Sequence, residues 1–189
     1  PYVSFDAQWV YYSHFHDISG SGGADVYKVH VKTLEVVRLT QQQWTPNTGI
    51  ADWAADFRTP AKGKTTLSQG VYNIHPCPLP GGRVAFVSNR DGLKTPRGYP
   101  QRVLQLFVMD DDGANVEKIG HLNVAGALHP VALTDGRILF STLESQGLHG
   151  GIAWGMWTIH PDGTSWEPVI SAFHDANGFH FHTQLTDGR

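Results

Sequence analysis

The run from Leu79 to Ser88, LPGGRVAFVS, returns as LTDGRILFST from Leu133, and its first half returns again as LTDGR from Leu185. FDAQWVYYSH from Phe5 fits the same frame, with Trp9 where the others carry Arg83 and Arg137. Each copy reads as a tight turn feeding a strand, because Gly or Asp-Gly supplies the positive φ that such a turn needs. A second motif follows the first three copies: DVYKVHVKTLEVVRLT from Asp25, QLFVMDDDGANVEKIG from Gln105 and GMWTIHPDGTSWEPVI from Gly155. In each, an aromatic residue (Tyr27, Phe107, Trp157) precedes an alternating strand, a turn and another strand.

A four-stranded unit cannot bury both faces of its sheet alone, and repetition lets each copy cover the next. The repeat therefore constrains the chain to an all-β fold, and four strands recurring roughly every 50 residues predict a β-propeller of four-stranded blades. Blade units start near residues 1, 75, 129 and 181. They make a partial ring of about three and a half blades over residues 1–189, a segment of a longer protein. A β-sandwich also uses short strands with regular turns, but aligned repeats in one turn register argue against it. The 21 glycines and 11 prolines favour turns and short strands over long helices.

The formal net charge is −3 and the basic residues are scattered, which predicts no nucleic-acid partner. No apolar run approaches the ~20 residues of a membrane-spanning helix, so no membrane span is expected. One cysteine excludes an internal disulfide.

The first unit is longer than the others, and the excess is an insertion over residues 41–70 that carries Trp44, Trp53 and Phe57. Trp53 and Phe57, four apart, suit a short helical turn. The insertion reads either as packing against the propeller face or as a docking surface for another domain or subunit. Two shorter inserts, LKTPRGYPQR from Leu93 and SQGLHGGIAWG from Ser145, fall between the second and third strands of their units. Lys94, Arg97 and Arg102 make the first one basic: a solvated hairpin tip, or a contact for an anion or propionate.

Histidine occurs eleven times, and the copies cluster. His75 stands eight residues before Arg83 and His129 eight before Arg137, while His180 and His182 bracket the equivalent place in the last unit. Equivalent positions in a radial fold meet at one level around the axis, so these imidazoles and Cys77 are expected to converge near one mouth of the channel. Imidazole and thiolate are donors that zinc and similar divalent metals prefer, and Cys77, His75 and His129 are the candidate metal ligands. The competing account is structural. Proline after each histidine stiffens the turn into the strand, the imidazole satisfies a backbone carbonyl, and Cys77 is a small buried hydrophobe. A second cluster, His14, His16 and Asp17, closes the first strand of the first unit.

PGGRVAFVSNRDG followed by LQLFVMDDDGANV resembles the TolB-type (PD40) propeller repeat, also akin to WD40 blades, which implies a fold but not a function. PYVSFDAQWVYYSHFHD, EVVRLT, QWTPNTG and NIHPCPLPGGRVAFVSNRDG together resemble the propeller part of hydrazine synthase alpha subunits and their relatives, from anaerobic ammonium-oxidising (anammox) bacteria. That family joins such a propeller to c-type haem domains and makes hydrazine from nitric oxide and ammonium, an oxidoreductase reaction of nitrogen metabolism. The resemblance implies a zinc ion beside the catalytic haem, with Cys77 carried over as a zinc ligand and His75 and His129 as its companions. It implies that the haem is attached outside this segment, since a single cysteine provides no C-x-x-C-H. The implied partners are the haem domains of the same chain and the other subunits of a hydrazine synthase complex. The implied compartment is periplasm-like, the anammoxosome lumen. The segment is expected to wall the haem and zinc site and to be inactive alone.

Two other functions suit the same scaffold. One is a non-catalytic, TolB-like binding propeller of the cell envelope; the other is a metal-dependent polysaccharide lyase whose histidines hold the metal. A prolyl-peptidase propeller needs a G-x-S-x-G turn elsewhere in its chain, and this sequence carries none.

Overall fold

Short runs rich in β-branched and aromatic residues, closed by Asp, Pro or Gly, become strands for a local reason. Such side chains pack well on a pleated surface, and the closing residues tolerate the reversal. The computed structural model describes residues 1–18, 22–42, 70–91, 103–120, 126–143, 153–171, 178–185 and 187–189, with no α-helix among them. The first sheet holds β1 (Tyr2–Val3), β2 (Trp9–Phe15), β3 (Ala24–His30) and β4 (Val36–Arg38). The second holds β5 (Asn73–Leu79), β6 (Arg83–Ser88), β7 (Gln105–Asp110) and β8 (Glu117–Lys118). The third holds β9 (Ala127–Ala132), β10 (Ile138–Leu143), β11 (Trp154–Ile159) and β12 (Glu167–Ile170). Strands adjacent in sequence are adjacent in each sheet.

The register repeats residue by residue. Tyr12 lies opposite Tyr27, Phe86 opposite Phe107, and Phe140 opposite Trp157. The first two pairs stack at 5.8 and 5.7 Å between ring centroids, a contact worth about 0.5–1.5 kcal/mol beyond the area it buries. The turn motif is equally regular. Leu133 N–H donates to Arg137 O and Gly136 N–H to Leu133 O, and the same two bonds join Leu185, Gly188 and Arg189. Asp135 caps Arg137 as Asp187 caps Arg189. The turn recurs because its own few residues satisfy it.

Packing explains why the middle unit is the most apolar. Val84, Phe86, Phe107 and Met109 meet Tyr11, Val26 and Leu39 of the first sheet. Ala85, Val87, Leu106 and Val108 meet Ala127, Ile138, Phe140 and Ile159 of the third. A sheet buried on both faces needs continuous apolar runs, which RVAFVS and QLFVMD supply. Strand β5 lies innermost, against β1, β2 and β3 on one side and β9 on the other. The three sheets are consecutive blades of a β-propeller.

Each blade entry is stitched to the blade before it. Ala24 N–H donates to Val71 O, Ala127 N–H to Leu104 O and Phe179 N–H to Trp154 O, at 3.0, 2.8 and 2.8 Å. The first seam adds a buried polar network, which is what the Ser88–Asp91 run builds. Asn73 Nδ2 donates to the fully buried Asp25 at 3.1 Å, while Asn73 Oδ1 accepts from Ser88 Oγ and Arg90 Nη2. Arg90 lies over the Phe86 and Phe107 rings at 5.1 and 4.9 Å. Burial pulls its guanidinium down to about 10, so it stays charged at neutral pH. Removing its acceptors would strand a buried cation, at a cost of about 3–5 kcal/mol.

Trp44, Trp53, Phe57, Lys94, Arg97 and Arg102, on which the readings of the first two insertions rest, lie outside the described residues. So does the Ser145 insert up to residue 152. Among the described residues no helix is long and apolar enough to cross a membrane.

Candidate functional site: a ring of histidines at the blade entry

Pairing of β5 with β6 is regular at Asn73–Ser88 and Ile74–Val87, then breaks, and resumes at Cys77–Ala85. Pairing of β9 with β10 breaks in the same place, between Leu128–Ser141 and Val131–Leu139. In each case two residues, His75-Pro76 or His129-Pro130, oppose one phenylalanine. These are β-bulges, a position that suits proline because it has no N–H to offer the ladder. The histidine before each proline takes φ 53°, and Phe181, the equivalent residue of the last unit, takes φ 55°. Positive φ is uncommon for bulky residues and collects at sites whose surroundings hold it in place.

The bulge turns these side chains out of strand alternation and toward each other. The His75 and His129 rings lie 4.5 Å apart at 34°, and His129 and Phe181 lie 4.1 Å apart at 39°. Three rings from three successive units thus form one stack. His180 meets His129 edge-on at 5.3 Å and also packs on Trp154. His182 donates from Nε2 to Leu139 O at 3.2 Å. A cavity of about 280 Å³ opens beside the stack, lined by Tyr2, Ser13, His75, Pro76, His129 and His182 among others.

Burial pushes His75 and His129 down to about 4, and it lowers His180 and His182 as well. These imidazoles are neutral at pH 7. His75 Nδ1 accepts the His129 N–H at 3.4 Å, which leaves its proton on Nε2. His129 Nδ1 and His182 Nδ1 are buried with no hydrogen-bond partner. A buried nitrogen in that condition is an open acceptor or ligand position.

Cys77 follows His75 by two residues and faces elsewhere. Its side chain is 2% exposed, in the apolar core between the second and third blades. The sulfur accepts the Ala132 N–H at 3.2 Å, and burial pushes the thiol up to about 12. Burial, and secondly the nearness of Cys77, also push the Tyr2 hydroxyl up to about 12. One repeat later the same step of the strand is Val131, likewise buried. Cys77 thus occupies a valine position.

Of the three residues expected to share a metal, His75 and His129 come together in the ring and Cys77 sits in the wall behind it. Two neutral imidazoles suit a zinc-type cation. A protonated thiol bonded to a backbone N–H does not, so zinc fits part of the set. Among the described residues no group of three or more His, Cys, Asp and Glu side chains is disposed to hold a metal ion. His180 and His182 flank the third equivalent position, and Phe181 fills it. Sequence reasoning missed Phe181 and the bulge. The available signal was His-Pro recurring at one offset from the turn.

Neither a protein-family model nor a curated protein matches the chain. Solved structures do. A hydrazine synthase from Kuenenia stuttgartiensis superposes on 92% of this chain with a TM-score of 0.60 at 13% sequence identity. TolB from Acinetobacter baumannii covers 92% of the chain at a TM-score of 0.38 and 13% identity; the match spans 43% of TolB. The tricorn protease covers 88% at a TM-score of 0.36 and 16% identity, spanning 18% of its own chain. The present chain spans 25% of the hydrazine synthase chain it matches. At such identities the likeness is one of fold, and the fold is a β-propeller.

Proposed function

We propose that the chain is a propeller segment of a hydrazine synthase alpha subunit or a close relative, and that its histidine ring walls a site shared with a c-type haem and a metal. The supporting observation is the likeness to hydrazine synthase over 92% of the chain. The ring has the properties such a wall needs. Tyr2, Pro76 and Phe181 line the cavity beside the imidazoles, and the half-buried His75 and His129 stay neutral, so no imidazolium charge faces it. His75 and His129 are the residues that would hold the metal, His129 through its unpaired Nδ1 and His75 only by giving up the bond its Nδ1 accepts from His129 N–H; the metal's contribution when bound would be Lewis-acid polarisation. Cys77 joins them only by surrendering both its proton and the Ala132 N–H. The haem is attached outside these residues, on the haem domains of the same chain. Other subunits of the complex are the further partners, and the compartment is periplasm-like.

The test is the full-length protein. The reading expects C-x-x-C-H motifs beyond these residues, a c-type haem spectrum, and hydrazine formation from nitric oxide and ammonium that falls on His129→Ala. A full-length chain with no such motif and no haem overturns it. A non-catalytic binding propeller of the cell envelope is the second reading, favoured by the burial of Cys77 in the core. It expects a haem-free protein whose partner binding survives Cys77→Ala.

A further inference from the structure

The second histidine cluster lies on the first blade and shares no residue with the ring. His14 lies near the end of β2 and His16 just beyond it; Asp25 stands opposite His14 in the ladder and its carboxylate meets His16, so both imidazoles lie on the same side of the sheet. Both residues are exposed, and their ring centroids lie 5.4 Å apart at 77°. Two imidazoles on one zinc-type ion, with nitrogen–metal bonds of roughly 2.0 Å, place their centroids about 5 Å apart at right or tetrahedral angles. The pair already has that spacing.

His16 is also held from behind. Its Nε2–H donates to Asp25 Oδ2 at 2.7 Å. Asp25 is fully buried and accepts further bonds from Arg38 at 2.6 Å, Thr40 at 2.5 Å and Asn73 at 3.1 Å. Arg38 balances the carboxylate charge. With Nε2 donating, Nδ1 carries the lone pair. A buried carboxylate taking the second N–H of an imidazole is the arrangement that orients metal-ligating histidines and raises their basicity. The edge of Tyr27 braces His14 at 5.5 Å.

We propose that His14 and His16 form a surface site for a divalent cation of the copper, nickel or zinc class, with Asp25 positioning His16 and water filling the remaining coordination positions. Two imidazole donors and no carboxylate in direct contact select this class over magnesium or calcium. Among the described residues no third His, Cys, Asp or Glu joins them. The site is separate from the ring and does not depend on the hydrazine synthase reading.

The experiment titrates metal-free full-length protein with Cu²⁺ and with Zn²⁺, followed by calorimetry and by nitrogen hyperfine structure in copper spectra. The wild type is expected to show a two-nitrogen copper site that a His75→Ala, His129→Ala double variant retains. His14→Ala should weaken it at least tenfold and leave one nitrogen, with thermal melting unchanged because His14 lies outside the Asp25 network. Asp25→Asn should weaken binding about 10–100-fold, and nitrogen NMR should show His16 losing its fixed Nε2–H form. Undiminished binding in a folded His14→Ala variant overturns the site. So does Cu²⁺ binding that disappears only in the ring variant, or no Cu²⁺ binding at all.

Discussion

Iodoacetamide applied to the native protein at pH 8 asks what Cys77 is for. Burial moves its thiol from 9.0 to about 12, which cuts the thiolate fraction at that pH about a thousandfold. A more basic thiolate is a better nucleophile, by about twentyfold over three units at a Brønsted slope near 0.45, so charge alone slows the reaction about fiftyfold. Access slows it further. With the side chain 2% exposed and Ala132 N–H on the sulfur, the reagent waits for the seam between the second and third blades to open. The expected result is negligible labelling of the native protein by mass spectrometry, complete labelling in guanidinium chloride, and no change on adding a zinc chelator. Labelling of the native protein at the rate of a free thiol would refute the burial argument. Labelling that turns fast only after chelation would show a metal-bound thiolate, and Cys77 would rejoin His75 and His129 as a ligand.

Acid should destabilise the fold between about pH 6.5 and 4, because unfolded imidazoles take protons that buried His75 and His129, held at about 4, refuse. The unfolded state binds more protons throughout that window, so stability falls with pH: His75 accounts for about 2–3 kcal/mol and the more exposed His129 for about half as much. Replacing both with glutamine should flatten the curve of melting temperature against pH, and a curve as steep as wild type would count against the burial of the ring. Gly113 and Gly81 share positive φ, 87° and 80°, but a Cβ at Gly113 would overlap the Leu39 carbonyl oxygen of the neighbouring blade while one at Gly81 meets open space. Urea denaturation should therefore show about 1 kcal/mol lost for Gly81→Ala and about 3 kcal/mol or more for Gly113→Ala; equal losses would mean that the first blade seam yields to accommodate the methyl.

The blades were legible because their signals are local. Tyr12, Phe86 and Phe140 hold one frame, Tyr27, Phe107 and Trp157 another, and the structure pairs them as that frame requires. The convergence of His75 with His129 followed from the same repeat, since equal offsets within blades become equal heights around the axis. Which way each side chain points did not follow. A bulge adds one residue to a strand and breaks the period of two, so counting from His75 cannot say that Cys77 faces the core. The same limit hid Phe181 between two histidines that had drawn the attention.

Taken alone, the amino-acid sequence determined the repeat, the turns and the strand register, because each depends on residues a few positions apart and on backbone preferences they carry themselves. Tertiary structure alone decided that Asn73 and Arg90 would join Asp25 in a buried seam, that Cys77 would stand in a valine's place, and that Phe181 would complete the ring. Those outcomes depend on which surfaces neighbouring blades bring together, and the burial that shifts Arg90 and Cys77 exists only once they have met.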